Sequence, residues 1–386
     1  MTRQIPYSCQ DISEADVAAV VETLRAPFLT QGPAVPKFEA EIAALHGLSH
    51  GVAVANATAA LHIACLALGA GPDTRVWTSP NSFVASANCA RYCGATVDFV
   101  DIDPVTRNMS AEALASKLEQ AQREDGVPGI VIPVDFAGFP CDLKEIRALA
   151  DRYGFRILSD SSHAIGASYH GAPIGRDADI TVFSFHPVKI ITTGEGGICL
   201  TEDAKLAAAM RKARSHGITR DPAEMDQEPD GPWYYEQVSL GFNYRLTDIQ
   251  AALGSSQLTR LAEREVRRDF LARRYDDALA GLPLLLPPRS NDRTSAHHLY
   301  VIEIDDARTP RTRREVFDFL RGDGISANVH YIPIHLQPDF RRLGFAVGDF
   351  PNSERYYRRA LSIPLFPTMT EEQQDHVIAS LKQALA

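Results

Sequence analysis

What this chain lacks narrows it before anything it contains. No apolar run approaches the roughly 20 residues that a membrane-crossing helix needs. The start, Met1-Thr2-Arg3-Gln4-Ile5-Pro6, has no apolar stretch of a secretory leader. A cytoplasmic protein without a membrane span is therefore expected. Basic residues form no stripe: the longest cluster, Arg264-Glu265-Val266-Arg267-Arg268, reads as the solvated face of a helix, and the net charge is −10. Nucleic acid is not expected as a partner on that balance. The six cysteines, Cys9, Cys65, Cys89, Cys93, Cys141 and Cys199, are scattered. Cys89 and Cys93 share a helix face, but no second Cys/His pair completes four ligands, so reduced thiols and no metal are expected. A G-x-G-x-x-G turn after the first strand and a P-loop are also missing, which speaks against nicotinamide-dependent oxidoreductases and NTPases.

What is present is an alternation. Over roughly residues 14–210 helical patterns alternate with short apolar runs, the pattern of an α/β layer fold with a mostly parallel sheet. Expected strands are Gly51–Ala55, Ala95–Val100, Gly129–Val134, Phe155–Ser159, Ile180–Phe185 and Gly197–Leu200, with a helix over Ala59–Leu68. From Pro222 to Trp233 the chain turns Pro-, Asp- and Gly-rich and reads as a mobile loop. A long charged helix is expected over Asp248–Ala280, a strand over Leu299–Glu303 and a closing helix over Glu371–Leu385. With 386 residues, two domains are expected: a large one over 13–244, and a smaller α+β one over 245–386 joined by residues 1–12.

Ligands of such sheets bind beyond the carboxyl ends of the strands, and four segments there carry chemistry. Asn56-Ala57-Thr58-Ala59-Ala60 combines small residues with a helix start, which suits a phosphate; plain helix capping explains it equally. Ser159-Asp160-Ser161-Ser162-His163-Ala164 puts a carboxylate at a strand end, where it meets either a cationic ligand or the next helix start. Lys189 lies among apolar residues in Phe185-His186-Pro187-Val188-Lys189-Ile190-Ile191; desolvation makes such an amine an imine-forming nucleophile and base, against a structural loop lysine. Phe83, in Ser79-Pro80-Asn81-Ser82-Phe83, is placed to stack on a planar ring or to fill the core. The order of phosphate loop, aromatic, Asp and Lys makes one joint signal from four weak ones.

Together with Leu29-Thr30-Gln31-Gly32-Pro33, Gly241-Phe242-Asn243-Tyr244-Arg245-Leu246 and Val329-His330-Tyr331-Ile332-Pro333-Ile334-His335, these segments make the chain resemble the DegT/StrS family of nucleotide-sugar aminotransferases over nearly its whole length. That resemblance implies the pyridoxal-5′-phosphate (PLP) fold type I, aspartate-aminotransferase-like architecture, with PLP as cofactor. It implies that Lys189 forms the imine with PLP and that Asp160 pairs with the pyridine nitrogen. Phe83 would stack on the ring, and Ala57, Thr58 and Ser184 would hold the phosphate. Asn243 would reach it from the other subunit of a homodimer. His163, where many relatives have Gln, would sit near the phenolic oxygen. Tyr7, His330, Tyr331 and His335 are candidate contacts to the sugar nucleotide. Ser159–Ala164 and Phe183–His186 look most like the branch that aminates C4 of UDP-2-acetamido-2,6-dideoxy-β-L-arabino-hexos-4-ulose with L-glutamate, in pseudaminic acid biosynthesis. The alternatives are a GDP-perosamine or UDP-bacillosamine type of 4-keto sugar.

Overall fold

The computed structural model describes residues 4–124 and 126–386. Its largest sheet has seven strands: β1 (His50–Val54), β2 (Arg75–Thr78), β3 (Thr96–Phe99), β4 (Ile130–Ile132), β5 (Arg156–Asp160), β6 (Ile180–Ser184) and β7 (Gly197–Thr201). They lie in the order β1-β7-β6-β5-β4-β2-β3. The pairs β2–β3, β2–β4, β4–β5 and β5–β6 are parallel. Only β7 reverses, antiparallel to both β6 and β1. A parallel sheet covered on both faces demands apolar residues on both, and every residue of β6 is buried. Two separate apolar clusters flank this sheet, one around Phe38, Ile157 and Phe183, the other around Leu61, Ile63 and Val182. The mostly parallel α/β architecture expected from the alternation is the one found. β2 was not among the expected strands, because only Val76, Trp77 and Thr78 in it are buried, a run too short to stand out.

The expected helix over Asp248–Ala280 is in fact two, Asp248–Leu258 and Leu261–Leu279. The break has a polar cause. Thr259 Oγ1 donates to the Ser256 carbonyl at 2.7 Å, and Arg260 turns to donate to Asp11 and to the buried Asp16. Beyond it, Leu284–Leu285, Tyr300–Ile304 and Ala360–Ile363 form a small antiparallel sheet. This sheet shares a hydrophobic cluster with helices Arg313–Gly322 and Glu371–Leu385 and with Ile5, which bridges to Ile325. The last helix spans the expected residues and starts on a capping box from Thr370 and Gln373. Within the described residues no helix is long and apolar enough to cross a membrane.

Candidate active site

Three strand ends of the large sheet open on one cavity of about 780 Å³, within the range of cofactor and substrate pockets. At the end of β1, helix Ala57–Ala67 begins. Its N-cap Asn56 accepts from the Ala59 N–H at 2.8 Å through Oδ1. That leaves the amides of Ala57 and Thr58, both at the cavity wall, for an anion. Gly197 in β7 explains why the turn can sit so close: a Cβ there would come within 2.6 Å of the Ala57 nitrogen. Ser184, the last residue of β6, lines the same cavity.

Asp160 ends β5 and is buried. Its Oδ1 accepts from Ser162 Oγ at 2.6 Å, and its Oδ2 accepts from Ser86 Oγ at 2.6 Å. Since Ser86 spends its proton on Asp160, Ser82 donates to Ser86 at 2.6 Å in turn. Among the described residues no Lys or Arg forms an ion pair with Asp160. A buried carboxylate served only by two hydroxyls and the Ser162 N–H, at 3.2 Å, fits a cationic ligand N–H.

Lys189 lines the cavity, and burial pulls its ammonium down to about 8, against the opposing charge of Asp160. Phe83 is 58 % exposed, its ring at the cavity and 6.2 Å from that of Tyr331. His163 accepts from the Ala137 N–H through Nδ1 at 3.2 Å and lies 3.2 Å from the Tyr331 hydroxyl through Nε2. Burial, then the charges of Lys189 and His330, push His163 well below the ordinary histidine range. His330 is held down at about 4 by burial and Lys189. Burial raises the Tyr331 phenol, with Asp160 and Tyr7 adding to it. His163, His330 and Tyr331, which share the cavity with Lys189 and Asp160, thus stay neutral near pH 7.

Of the residues singled out from the sequence, Ala57, Thr58, Phe83, Asp160, His163, Ser184, Lys189, Tyr7, His330 and Tyr331 all reach this cavity. Two do not. His335 is fully buried elsewhere, its Nε2 at 3.0 Å from Glu354, in a core formed with Phe99 and Phe350. Asn243 is exposed; its backbone bridges to Ser215, and it is Tyr244 that lines the cavity. The sequence reading passed over Ser86, Ser162 and His298. The four-residue spacing of Ser82 and Ser86 at a helix start, and the His297-His298 pair before an apolar strand, were the available signals.

PLP fits these residues: a helix start and Ser184 for its phosphate, a buried carboxylate with no ion-pair partner among the described residues for its ring nitrogen, an exposed aromatic, and a half-buried, readily deprotonated lysine.

Known proteins agree with the geometry. The DegT/DnrJ/EryC1/StrS aminotransferase family matches residues 10–382. The spore coat polysaccharide biosynthesis protein SpsC of Bacillus subtilis is 38% identical over 381 residues, 98% of this chain and 96% of that one. Helicobacter pylori PseC, an aminotransferase involved in the biosynthesis of pseudoaminic acid, superposes with a TM-score of 0.91 at 29% identity, covering 99% of both chains. The PMP-form of the putative sugar aminotransferase Spr1654 from Streptococcus pneumoniae gives 0.89 at 30% identity over 98% of each chain. The chain belongs to the DegT/DnrJ/EryC1/StrS aminotransferase family and is a PLP-dependent sugar aminotransferase.

Proposed function

We propose that this enzyme moves the amino group of L-glutamate to C4 of UDP-2-acetamido-2,6-dideoxy-β-L-arabino-hexos-4-ulose. The products are UDP-4-amino-4,6-dideoxy-N-acetyl-β-L-altrosamine and 2-oxoglutarate, on the route to pseudaminic acid. The observation that carries the reaction type is the meeting of Lys189 and Asp160 in one cavity. The likeness to PseC supports the choice of sugar.

Bound PLP supplies an electron sink for the carbon that loses and regains a proton. The chain's own residues divide the remaining work. Lys189, with its ammonium pulled down to about 8, holds or releases a proton near neutral pH, as a base on this path must. Asp160, fixed by Ser86 and Ser162, holds the cofactor's ring nitrogen protonated. The amides of Ala57 and Thr58, with Ser184, hold the phosphate, and Phe83 covers the ring. His163 offers an N–H to the phenolic oxygen. Tyr7, His330 and Tyr331 line the same cavity and are the groups offered to the sugar nucleotide. Among the lining residues Lys189 is the only lysine or arginine. The proposal therefore includes a homodimer in which Asn243 of each chain serves the phosphate held by the other.

The test compares wild type with Lys189→Ala. Borohydride reduction with PLP should add the cofactor's mass covalently to wild type alone, and glutamate should give 2-oxoglutarate with wild type alone. A panel of UDP- and GDP-linked 4-keto sugars then names the acceptor. Equal labelling of both proteins would sink the role of Lys189. Turnover of a GDP-linked 4-keto sugar in preference to the UDP-linked one would replace the substrate and keep the chemistry.

A further inference from the structure

Behind His163 lies a layer of groups that the chemistry above does not use. Ala137 sits in the short turn Phe136–Gly138 at a φ of +58°, in the left-handed region that non-glycine residues rarely adopt. Its peptide works in two directions. The N–H donates to His163 Nδ1 at 3.2 Å, and the carbonyl accepts from the N–H of His298 at 2.9 Å. The next residue, Gly138, has a φ of +93° and is pressed against both segments: a Cβ there would lie 2.8 Å from the His163 carbonyl oxygen and 3.1 Å from the His297 nitrogen.

His298 lines the cavity, and its ring centroid is 4.4 Å from that of His163 at a tilt of 44°. Its Nδ1 is buried without a partner. The backbone on either side is clamped by Arg268, itself buried, which donates through one nitrogen to the carbonyls of His297 at 3.0 Å, His298 at 3.4 Å and Leu365 at 3.3 Å.

An imidazole nitrogen that accepts a hydrogen bond carries no proton. As long as Ala137 donates to Nδ1, His163 is neither an imidazolium nor the Nδ1–H tautomer, and its proton is on Nε2. We propose that His298 is a positioning residue: its ring and its peptide, anchored by Arg268 and joined to Ala137, hold His163 as an Nε2–H donor aimed into the cavity. The groups facing His163 are Lys189, His330, Tyr331 and His298, with Arg268 behind His298. Burial, followed by the charges of His163, Lys189 and Arg268, holds His298 itself well below the ordinary histidine range, so the pair packs as two neutral rings. The inference rests on the reading that PLP occupies this cavity with His163 at its phenolic oxygen, where a donor of fixed direction is of use and an acceptor is not.

The experiment uses the full-length holoenzyme labelled with ¹⁵N-histidine. Long-range proton–nitrogen correlations report each ring's tautomer, and His163→Gln assigns the signal. Wild type should show His163 as Nε2–H and unchanged between about pH 6 and 8, where an ordinary histidine titrates. His298→Ala opens the ring to water. Its His163 should become a tautomer mixture or titrate in that window, with PLP affinity lowered roughly fivefold, the scale of one misdirected hydrogen bond. His298→Phe keeps a ring that excludes water and should restore both readouts. A wild-type His163 carrying its proton on Nδ1 overturns the proposal. So does His298→Ala with signature and affinity unchanged, or a folded His298→Phe that restores neither. If His298→Ala does not fold, wild type and His298→Phe decide. Absence of borohydride-trapped PLP on wild type would instead strike the cofactor reading, so the two failures are told apart.

Discussion

At the scale of single residues, the cavity is built on withheld solvation. Lys189 is a lysine pulled by burial from its ordinary value to about 8. The sign follows directly. Below about 8 the cofactor-free fold must either bury an ammonium or release its proton, and the unfolded chain must do neither. That cost is relieved as pH rises through about 8 toward the ordinary lysine range, so the stability of the PLP-free protein should increase over that interval. Lys189→Met should flatten the rise, measured by urea unfolding across pH. The rate at which PLP-free enzyme captures PLP should climb with pH and level off above about 8, since the neutral amine is the nucleophile. A capture rate independent of pH between about 7 and 9 would contradict the placement of this amine. Asp160 makes the complementary case. Its donors Ser86 and Ser162 are neutral, so each orients the carboxylate without neutralising it. Ser86→Ala removes one of three bonds to the carboxylate, the one at Oδ2, and strands the Ser82 hydroxyl. It should weaken PLP retention about tenfold, as expected for about 1.5 kcal/mol or more at a charged acceptor. Equilibrium dialysis reads this, and unchanged retention would show that Ser162 alone suffices.

At the scale of elements, the site depends on how closely β7 approaches the start of helix Ala57–Ala67. Gly197 has ordinary strand geometry, so Gly197→Ala strains no dihedral; the added carbon instead meets the Ala57 nitrogen at 2.6 Å and its Cα at 2.7 Å. Either β7 or the helix start must move, and the helix start carries the amides of the proposed phosphate cradle. PLP affinity should fall at least tenfold, with the loss largest for the phosphorylated cofactor and small for pyridoxal, by comparison of their binding constants. An equal loss for both would place the damage outside the cradle. The elements also show what the sequence makes legible. Fully buried strands such as β6 announce themselves because a parallel sheet demands apolar residues at every position, and Asp160 and Lys189 are found because each stands next to such a run. Ser86 is invisible at that level: its meaning comes from Asp160, 74 positions away. The break at Thr259–Arg260 is hidden for the same reason. Helical periodicity continues through it, and the groups that interrupt it, Asp11 and Asp16, belong to the other end of the chain. His335 misled in the opposite direction, since a histidine in a segment resembling a known motif reads as a ligand until its partner, Glu354, is seen beside it.

At the scale of the whole molecule, the cavity is short of positive charge. A protein of net charge −10 offers its anionic cofactor and the proposed nucleotide-sugar substrate a cavity with one lysine and no arginine. At the same time the segment leading to Asn243 exposes Trp233, Tyr235 and Leu240, the last at 80 %, an unusual outlay of apolar surface for an isolated chain. At its end the backbone is held in place, with the Tyr244 carbonyl accepting from the Ala55 N–H at 2.8 Å and Asn243 bridging to Ser215. A segment that presents an exposed Asn on a held backbone, after exposed apolar residues, is suited to a second copy related by a two-fold axis. The proposed dimer then makes a prediction that one chain cannot meet. Lys189→Ala and Asn243→Ala should each be strongly impaired as homodimers. Co-expressed, they form hybrids in which one site joins the intact lysine of one chain to the intact asparagine of the other, and its counterpart carries both lesions. Random pairing makes half the dimers hybrid, so about a quarter of all sites should regain function. Glutamate half-reaction rates per chain, measured on the mixture and on hybrids separated by differential tags, check this. Activity no greater than the mean of the two homodimers would return Asn243 to its own chain's surface and leave the phosphate to be held by groups within one subunit.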